Sequence, residues 1–171
     1  MLKIQLLRTI HVIALWGLLM TSFQVAASNL GCASSQTPSE SIIDIGFKEF
    51  FKQPIGPAGL EFTEKLMQTN GKQVCIQGYM VNQEHPPTGK FILAPLALEM
   101  HEHSDGEADD LPASAIIVQL DESQKDQLIR HEPGLLAIKG KIKVGRHEDE
   151  NGRVAWIVIQ LAADQIKTIE K

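Results

Sequence analysis

The chain has 171 residues, 43% hydrophobic and only 5% aromatic, with 21 acidic and 16 basic side chains and a net charge of −5. That length holds one domain behind a targeting segment, with a core of Ile, Val and Leu rather than rings. The acidity argues against nucleic acid and anionic membrane surfaces as partners, and two cysteines are too few for a disulfide framework.

Residues 1–27 read as a signal peptide. Lys3 and Arg8 give a positive start, an apolar run follows from Val12 to Leu19, and Val25-Ala26-Ala27 offers the small residues a signal peptidase prefers. The run is short for a membrane span, which needs about 20 apolar residues, so an uncleaved anchor is the lesser reading and no other membrane insertion is expected. Leu30-Gly31-Cys32 partly resembles a lipoprotein cleavage site, but Asn29 stands where Leu is usual, and export ranks above lipidation at Cys32. Removing Lys3 and Arg8 takes the charge from −5 to −7. The mature chain is expected in the periplasm or secreted, with anchoring in the envelope as the alternative. Export permits a Cys32–Cys75 bond, but a buried Cys75 thiol is the simpler expectation.

Residues 28–58 are expected to be a flexible linker and arm: small and polar to Ser41, mixed from Ile42 to Phe51, then broken by Pro54, Gly56 and Pro57. The domain is expected over 59–171. Phe62 to Gln68 suits one or two helical turns ending at the Asn70-Gly71 turn signal. Gln73 to Val81 alternates as a strand. Pro86, Pro87 and Gly89 mark a loop, and Phe91 to Leu96 is a second strand ended by Pro95. Ala115 to Leu120 is a third. Asp121 to Arg130 suits a short helix capped by Asp121. Leu135 to Val144 alternates Leu136, Ile138, Ile142 and Val144 with Lys139, Lys141 and Lys143, so one face is buried and one wet. A hairpin loop over 147–152 leads to a nearly all-apolar strand from Val154 to Ala162. The prediction is a mainly β protein: a five-stranded OB-fold-like Greek-key barrel with one short helix between strands 3 and 4. Gly78 and Gly140 fall mid-strand, where such barrels bend or bulge.

Gly71-Lys72-Gln73-Val74-Cys75-Ile76-Gln77-Gly78-Tyr79-Met80-Val81, followed by Gly89-Lys90-Phe91-Ile92-Leu93-Ala94-Pro95, resembles an uncharacterised family of exported bacterial proteins over about residues 60 to 120. The resemblance implies a small OB-like periplasmic domain, sometimes associated with membrane export systems, with no established activity. Relatives often carry cysteines after the second strand. This chain has Met100, His101 and His103 there, so no ligand role carries over.

Glu99 to Asp110 is the densest stretch of metal-ligand chemistry, with two histidines, six carboxylates and no basic residue. Extended backbone puts His101 and His103 on one side, and Asp105, Glu107 or Glu99 offers a third ligand. Two imidazoles and a carboxylate suit zinc, copper(II) or nickel, and Met100 adds a soft thioether for copper(I). A solvated acidic loop is the competing interpretation. Calcium fits poorly, since Asp110 and Ile116 stand where an EF-hand needs Gly and Glu. His85, His131 and His147 are further loop histidines that a joint site would need to gather. Lys139, Lys141 and Lys143 form a basic stripe read as a solvated or partner-docking face, since aromatics for nucleic-acid stacking are sparse. No Gly-x-Ser-x-Gly, Cys-x-x-Cys, His-Glu-x-x-His or phosphate-cradling loop occurs.

The leading expectation is therefore a non-enzymatic exported binding domain, accessory to an envelope transport complex, that takes a protein partner or small ligand. The alternative is a periplasmic zinc or copper buffer or chaperone using the His101/His103 loop. A metal enzyme at that loop is the third.

Overall fold

The computed structural model describes residues 32, 41–100, 102–103, 106–107, 111–149, 152–162 and 165. The chain is mainly β, with a single α-helix among the described residues. Five strands carry the core: β2 (Gln73–Met80), β4 (Lys90–Ala94), β8 (Ile116–Gln119), β9 (Leu135–Glu148) and β10 (Val154–Gln160). A sixth, β1 (Ile43–Asp44), completes their sheet, so the expected count of five is one short.

The reason for β1 lies in the register. β4 pairs only with Tyr79 and Met80, at the far end of β2. The first half of β2 keeps a free edge there, and β1 fills it in parallel, Ile43 opposite Val74 and Asp44 opposite Cys75. The other edge of β2 is paired with β9 from Gln73↔Lys141 to Tyr79↔Leu135. β4 and β10 flank β8, antiparallel and parallel respectively, and β10 returns antiparallel to β9. The β2–β9 contact closes the chain of pairings on itself.

Period-two burial follows. Val74, Ile76 and Met80 of β2 meet Leu93, Ile116, Val118, Ile138, Ile142, Ile157 and Ile159 in one cluster. Each large aliphatic side chain so removed from water contributes about 1.5–3 kcal/mol. Glycines stand where strands approach too closely for a side chain. A β-carbon on Gly78 would lie 2.8 Å from the Phe47 ring, and one on Gly140 would lie 2.6 Å from the Gln160 carbonyl oxygen.

Residues 43–51 are not an arm outside the domain, whereas 52–58 are exposed. Ile45, Phe50 and Phe51 are buried in the main core, with Ile43 and Phe47 packed against it. Phe51 bridges to Phe62, and their rings stack at 5.5 Å. Helix α1 (Glu64–Thr69) begins where the Thr63 hydroxyl accepts from the Leu66 amide, as an N-cap should. It buries Leu66 and Thr69 and stops at Gly71, whose φ of +77° suits glycine. Asn70 Oδ1 then accepts from the Val144 amide and ties the helix end to β9.

Cys75 is not a free thiol. It is bonded to Cys32, with 5.7 Å between the Cα atoms, a separation that a disulfide spans without backbone movement. The expected helix over 121–130 shrinks to one 3₁₀ turn, Glu122–Gln124, capped by Asp121. No apolar stripe supports more: Leu128 is exposed and Ile129 alone is buried. Instead the Gln127 carbonyl accepts from the Gly89 amide, and Thr88 bridges to Leu128.

The insertion between β4 and β8 has structured stems. β5 (Glu99–Met100) pairs in parallel with β3 (Asn82–Gln83), and β6 (Glu102–His103) pairs with β7 (Gly106–Glu107). Leu98, Met100, Leu111 and Ala115 pack against Val81, Ile92 and Ala94, a small second core outside the main one.

Candidate functional site

Of the residues expected to bind metal, His101 and Asp105 lie outside the described residues. His103 and Glu107 are placed in backbone only, in β6 and β7, where His103 pairs with Gly106. Glu99 is exposed on β5, opposite Asn82. Met100, the soft-ligand candidate, is instead part of the small second core. Its thioether fills an apolar gap, the usual employment of methionine.

Nor do His85, His131 and His147 assemble a site. The His131 Nε2 lies 3.3 Å from the Met80 carbonyl. His147 is not in a loop but within β9, opposite Ala155. Among the described residues, only one group of three or more metal-ligating side chains has its atoms within 4.8 Å of one another: Cys32, Asp44 and Cys75. The two sulfurs are bonded to each other, so neither is a thiolate ligand.

The lysine stripe, in contrast, is placed as expected. Ile138 and Ile142 point into the core while Lys141 and Lys143 are exposed and Lys139 is half-exposed. Directly across the strands, Lys139 faces Cys75, Lys141 faces Gln73 on one side and Gln160 on the other, and Lys143 faces Val158. Lys52, Lys65, Lys90, Lys125 and Arg146 each have a carboxylate partner. No ion pair among the described residues engages Lys139, Lys141 or Lys143. Among the described residues the nearest acidic position by register is Asp44, whose backbone lies two strands from that of Lys139, about 10 Å, and whose carboxylate reaches to within 4.8 Å of the Cys75 sulfur. Same-face neighbours on a strand recur about every 7 Å, where two like charges in water repel by about 0.6 kcal/mol before salt screening. The one carboxylate on this strand, Glu148, pairs with Arg146 and not with the three lysines.

Beside Gln160 the surface changes sign. A cleft of about 980 Å³ is lined by Pro87 to Lys90, by Gln119 to Glu122, by Lys125 and Asp126, by Glu148 and Asp149, and by Gln160. Five carboxylates there face two lysines. The Asp149 carboxylate accepts from Lys90 at 3.2 Å, with both side chains mostly shielded, and so fastens the β9–β10 turn to the start of β4. Asp121 accepts from the Ser123 hydroxyl at 2.7 Å and from its amide at 3.1 Å, which hold its carboxyl below the usual range. The Glu122 carboxylate beside Lys125 holds that ammonium above its ordinary value. The cleft is thus polar and largely self-satisfied. It was not legible beforehand, because the Asp121–Asp126 and Glu148–Asp149 clusters are adjacent only through strand order.

A smaller pocket lies between β8 and β10 at the opposite end, lined by Ile92, Leu111, Ala115, Ile117, Arg153 and Trp156 among others. The Trp156 ring meets Phe62 edge-on at 6.1 Å. None of these arrangements pairs a nucleophile with a base.

No family model and no curated protein matches the chain. Among solved structures it is similar to a DUF3299 family protein of Pseudomonas aeruginosa PAO1, at 16% identity and a TM-score of 0.41, over 70% of this chain and 91% of that one.

Proposed function

We propose that this chain is an exported, non-enzymatic binding domain of OB-fold type that docks a protein partner in the cell envelope through Lys139, Lys141 and Lys143. The observation that carries the reading is this basic strand face, without carboxylate partners among the described residues, on an otherwise acidic chain. A row of like charges stabilises nothing in the free protein, and such local inconsistencies concentrate where a protein functions.

The OB-type reading draws support from the circuit β2–β4–β8–β10–β9–β2 and from the 3₁₀ turn between β8 and β9. In that architecture the loops between the first and second strands and between the fourth and fifth flank the ligand cleft. Here the polar cleft is bordered by Pro87–Gly89 of the one and Asp149 of the other. Export draws support from the Cys32–Cys75 bond, which persists in oxidising compartments.

In-cell photocrosslinking tests the proposal. A photoreactive residue at position 141 of the full-length chain is expected to trap an envelope protein that the same probe at exposed Met67 of α1 does not trap. Fractionation is expected to place the adduct in the periplasm or envelope. Equal trapping at both positions, or none at 141, refutes the docking face.

A further inference from the structure

We infer that the docking face takes an extended acidic segment of its partner, one with carboxylates at every second residue. This rests on the docking role proposed above and adds the chemistry of the partner.

Three observations carry it. First, Lys139, Lys141 and Lys143 all belong to β9, so their stems leave one continuous strand in a line. Same-face positions of a strand recur about every 6.8 Å, and an extended peptide presents alternate side chains at the same interval. Carboxylates at i, i+2 and i+4 therefore meet all three ammoniums without distortion of either chain. A helix places residues two apart on different sides, and consecutive acids in an extended chain send half their charges away.

Second, no carboxylate among the described residues neutralises the row, although the protein pairs Lys52, Lys65, Lys90 and Lys125 elsewhere. The charge is left available.

Third, the row is bounded. Lys141 lies between Gln73 and Gln160, and beyond Gln160 the surface becomes the acidic cleft. A narrow positive line beside a negative cleft suits a single strand of charge. A flat anionic membrane is repelled by the rest of the surface, since the whole chain carries −5.

The test uses the mature, disulfide-bonded chain and two labelled heptapeptides of identical composition. One alternates Thr and Glu with Glu at the second, fourth and sixth positions, and the other has its three Glu in a block. Fluorescence anisotropy is expected to show the alternating peptide binding at least about fivefold tighter than the block isomer, with affinity falling steeply as salt rises. The Lys139→Gln/Lys141→Gln/Lys143→Gln variant is expected to lose about tenfold or more, whereas Lys48→Gln/Lys52→Gln loses nothing. Because the substituted side chains lie on the solvent face, circular dichroism of both variants is expected to match the wild type.

Equal affinity for the two isomers, or equal loss in both variants, overturns the inference. So does binding to phosphatidylglycerol vesicles that depends on the three lysines while the peptides do not bind, because the face then reads a membrane. Concentration-dependent self-association that needs the lysines, again without peptide binding, assigns the face to a second copy and also overturns it. If crosslinking at position 141 succeeds while the alternating peptide fails, the docking reading stands and the acidic-strand inference falls. If position 141 traps no partner, the docking reading itself has failed.

Discussion

Gly89 combines two constraints that a substitution can separate. Its φ is +69°, in the left-handed region, and a β-carbon there would sit 2.3 Å from the Lys125 carbonyl oxygen. Gly152 shares the first constraint, with φ +78°, but has nothing within 4 Å. Alanine at either site meets the left-handed penalty of about 1 kcal/mol. At Gly89 the backbone of the 3₁₀ segment must also move, which costs about 1–3 kcal/mol more. Urea unfolding is expected to rank Gly89→Ala well below Gly152→Ala. Similar midpoints would mean that the contact with Lys125 is easily relaxed. Asp121 makes a second residue-scale prediction. Its carboxyl is lowered by the Ser123 hydroxyl first and the Ser123 amide second. A depressed carboxylate stabilises the fold above its unfolded value, and that stability is lost as pH falls through the folded value. Ser123→Ala removes the larger cause and keeps the amide. The Asp121 titration, followed by carboxyl carbon NMR, is expected to move up toward the ordinary value. The acid limb of the stability curve, as pH falls below the ordinary aspartate value of about 3.9, is expected to flatten.

At the scale of elements, β9 is the most informative strand. Its lysines repel one another along one face without a partner to offset the cost. Lys141 has a lysine on both sides, so Lys141→Gln removes two such repulsions and is expected to stabilise the chain by about 1 kcal/mol at low ionic strength and to change nothing in 1 M salt. Urea midpoints at the two salt concentrations decide it. A loss of stability in both would make Lys141 a structural residue and weaken its docking role. β9 was also the strand most legible in the sequence, because Ile138, Ile142 and Val144 alternate strictly with the lysines, and only a half-buried strand needs that period. Its extension to Glu148 was not legible: past Val144 the apolar alternation stops, and pairing with Val154 and Ala155 alone keeps the backbone extended. β1 was missed for a related reason. Two residues carry no period, and Ile43–Asp44 is a strand only because β4 leaves the edge of β2 open. Asp121–Arg130 misled in the other direction. Its cap is real, but a cap without an apolar stripe sustains one turn and no helix. The Glu99–Asp110 stretch reads in the sequence as one cluster of ligands, while the structure assigns Met100 within it, and Leu98 and Leu111 on either side, to packing.

For the whole molecule, the Cys32–Cys75 bond joins the tail to the domain and makes two routes of maturation distinguishable by experiment. The bonded residues are 43 apart, and closing a loop of that size stabilises the fold by up to about 4 kcal/mol in the chain-entropy account. Cys32→Ser is expected to lower stability by about 2–4 kcal/mol in urea unfolding. Cys75→Ser breaks the same bond and also buries a hydroxyl, so it is expected to cost more. The same sulfur carries the argument about anchoring. A lipoprotein begins at its cysteine and holds its lipid through a thioether, which would occupy the Cys32 sulfur and leave Cys75 free. A disulfide occupies both sulfurs and leaves nowhere for the lipid. The mature protein taken from the envelope is therefore expected to begin at Ser28, to weigh two hydrogens less than its reduced chain, and to resist thiol alkylation until reduced. Intact mass measured after alkylation, with and without prior reduction, reads all three properties. A chain that begins at Cys32, heavier by a lipid and with one alkylatable thiol, would show that the bond does not form in the cell. The domain would then face its partner from a membrane anchor, not from solution.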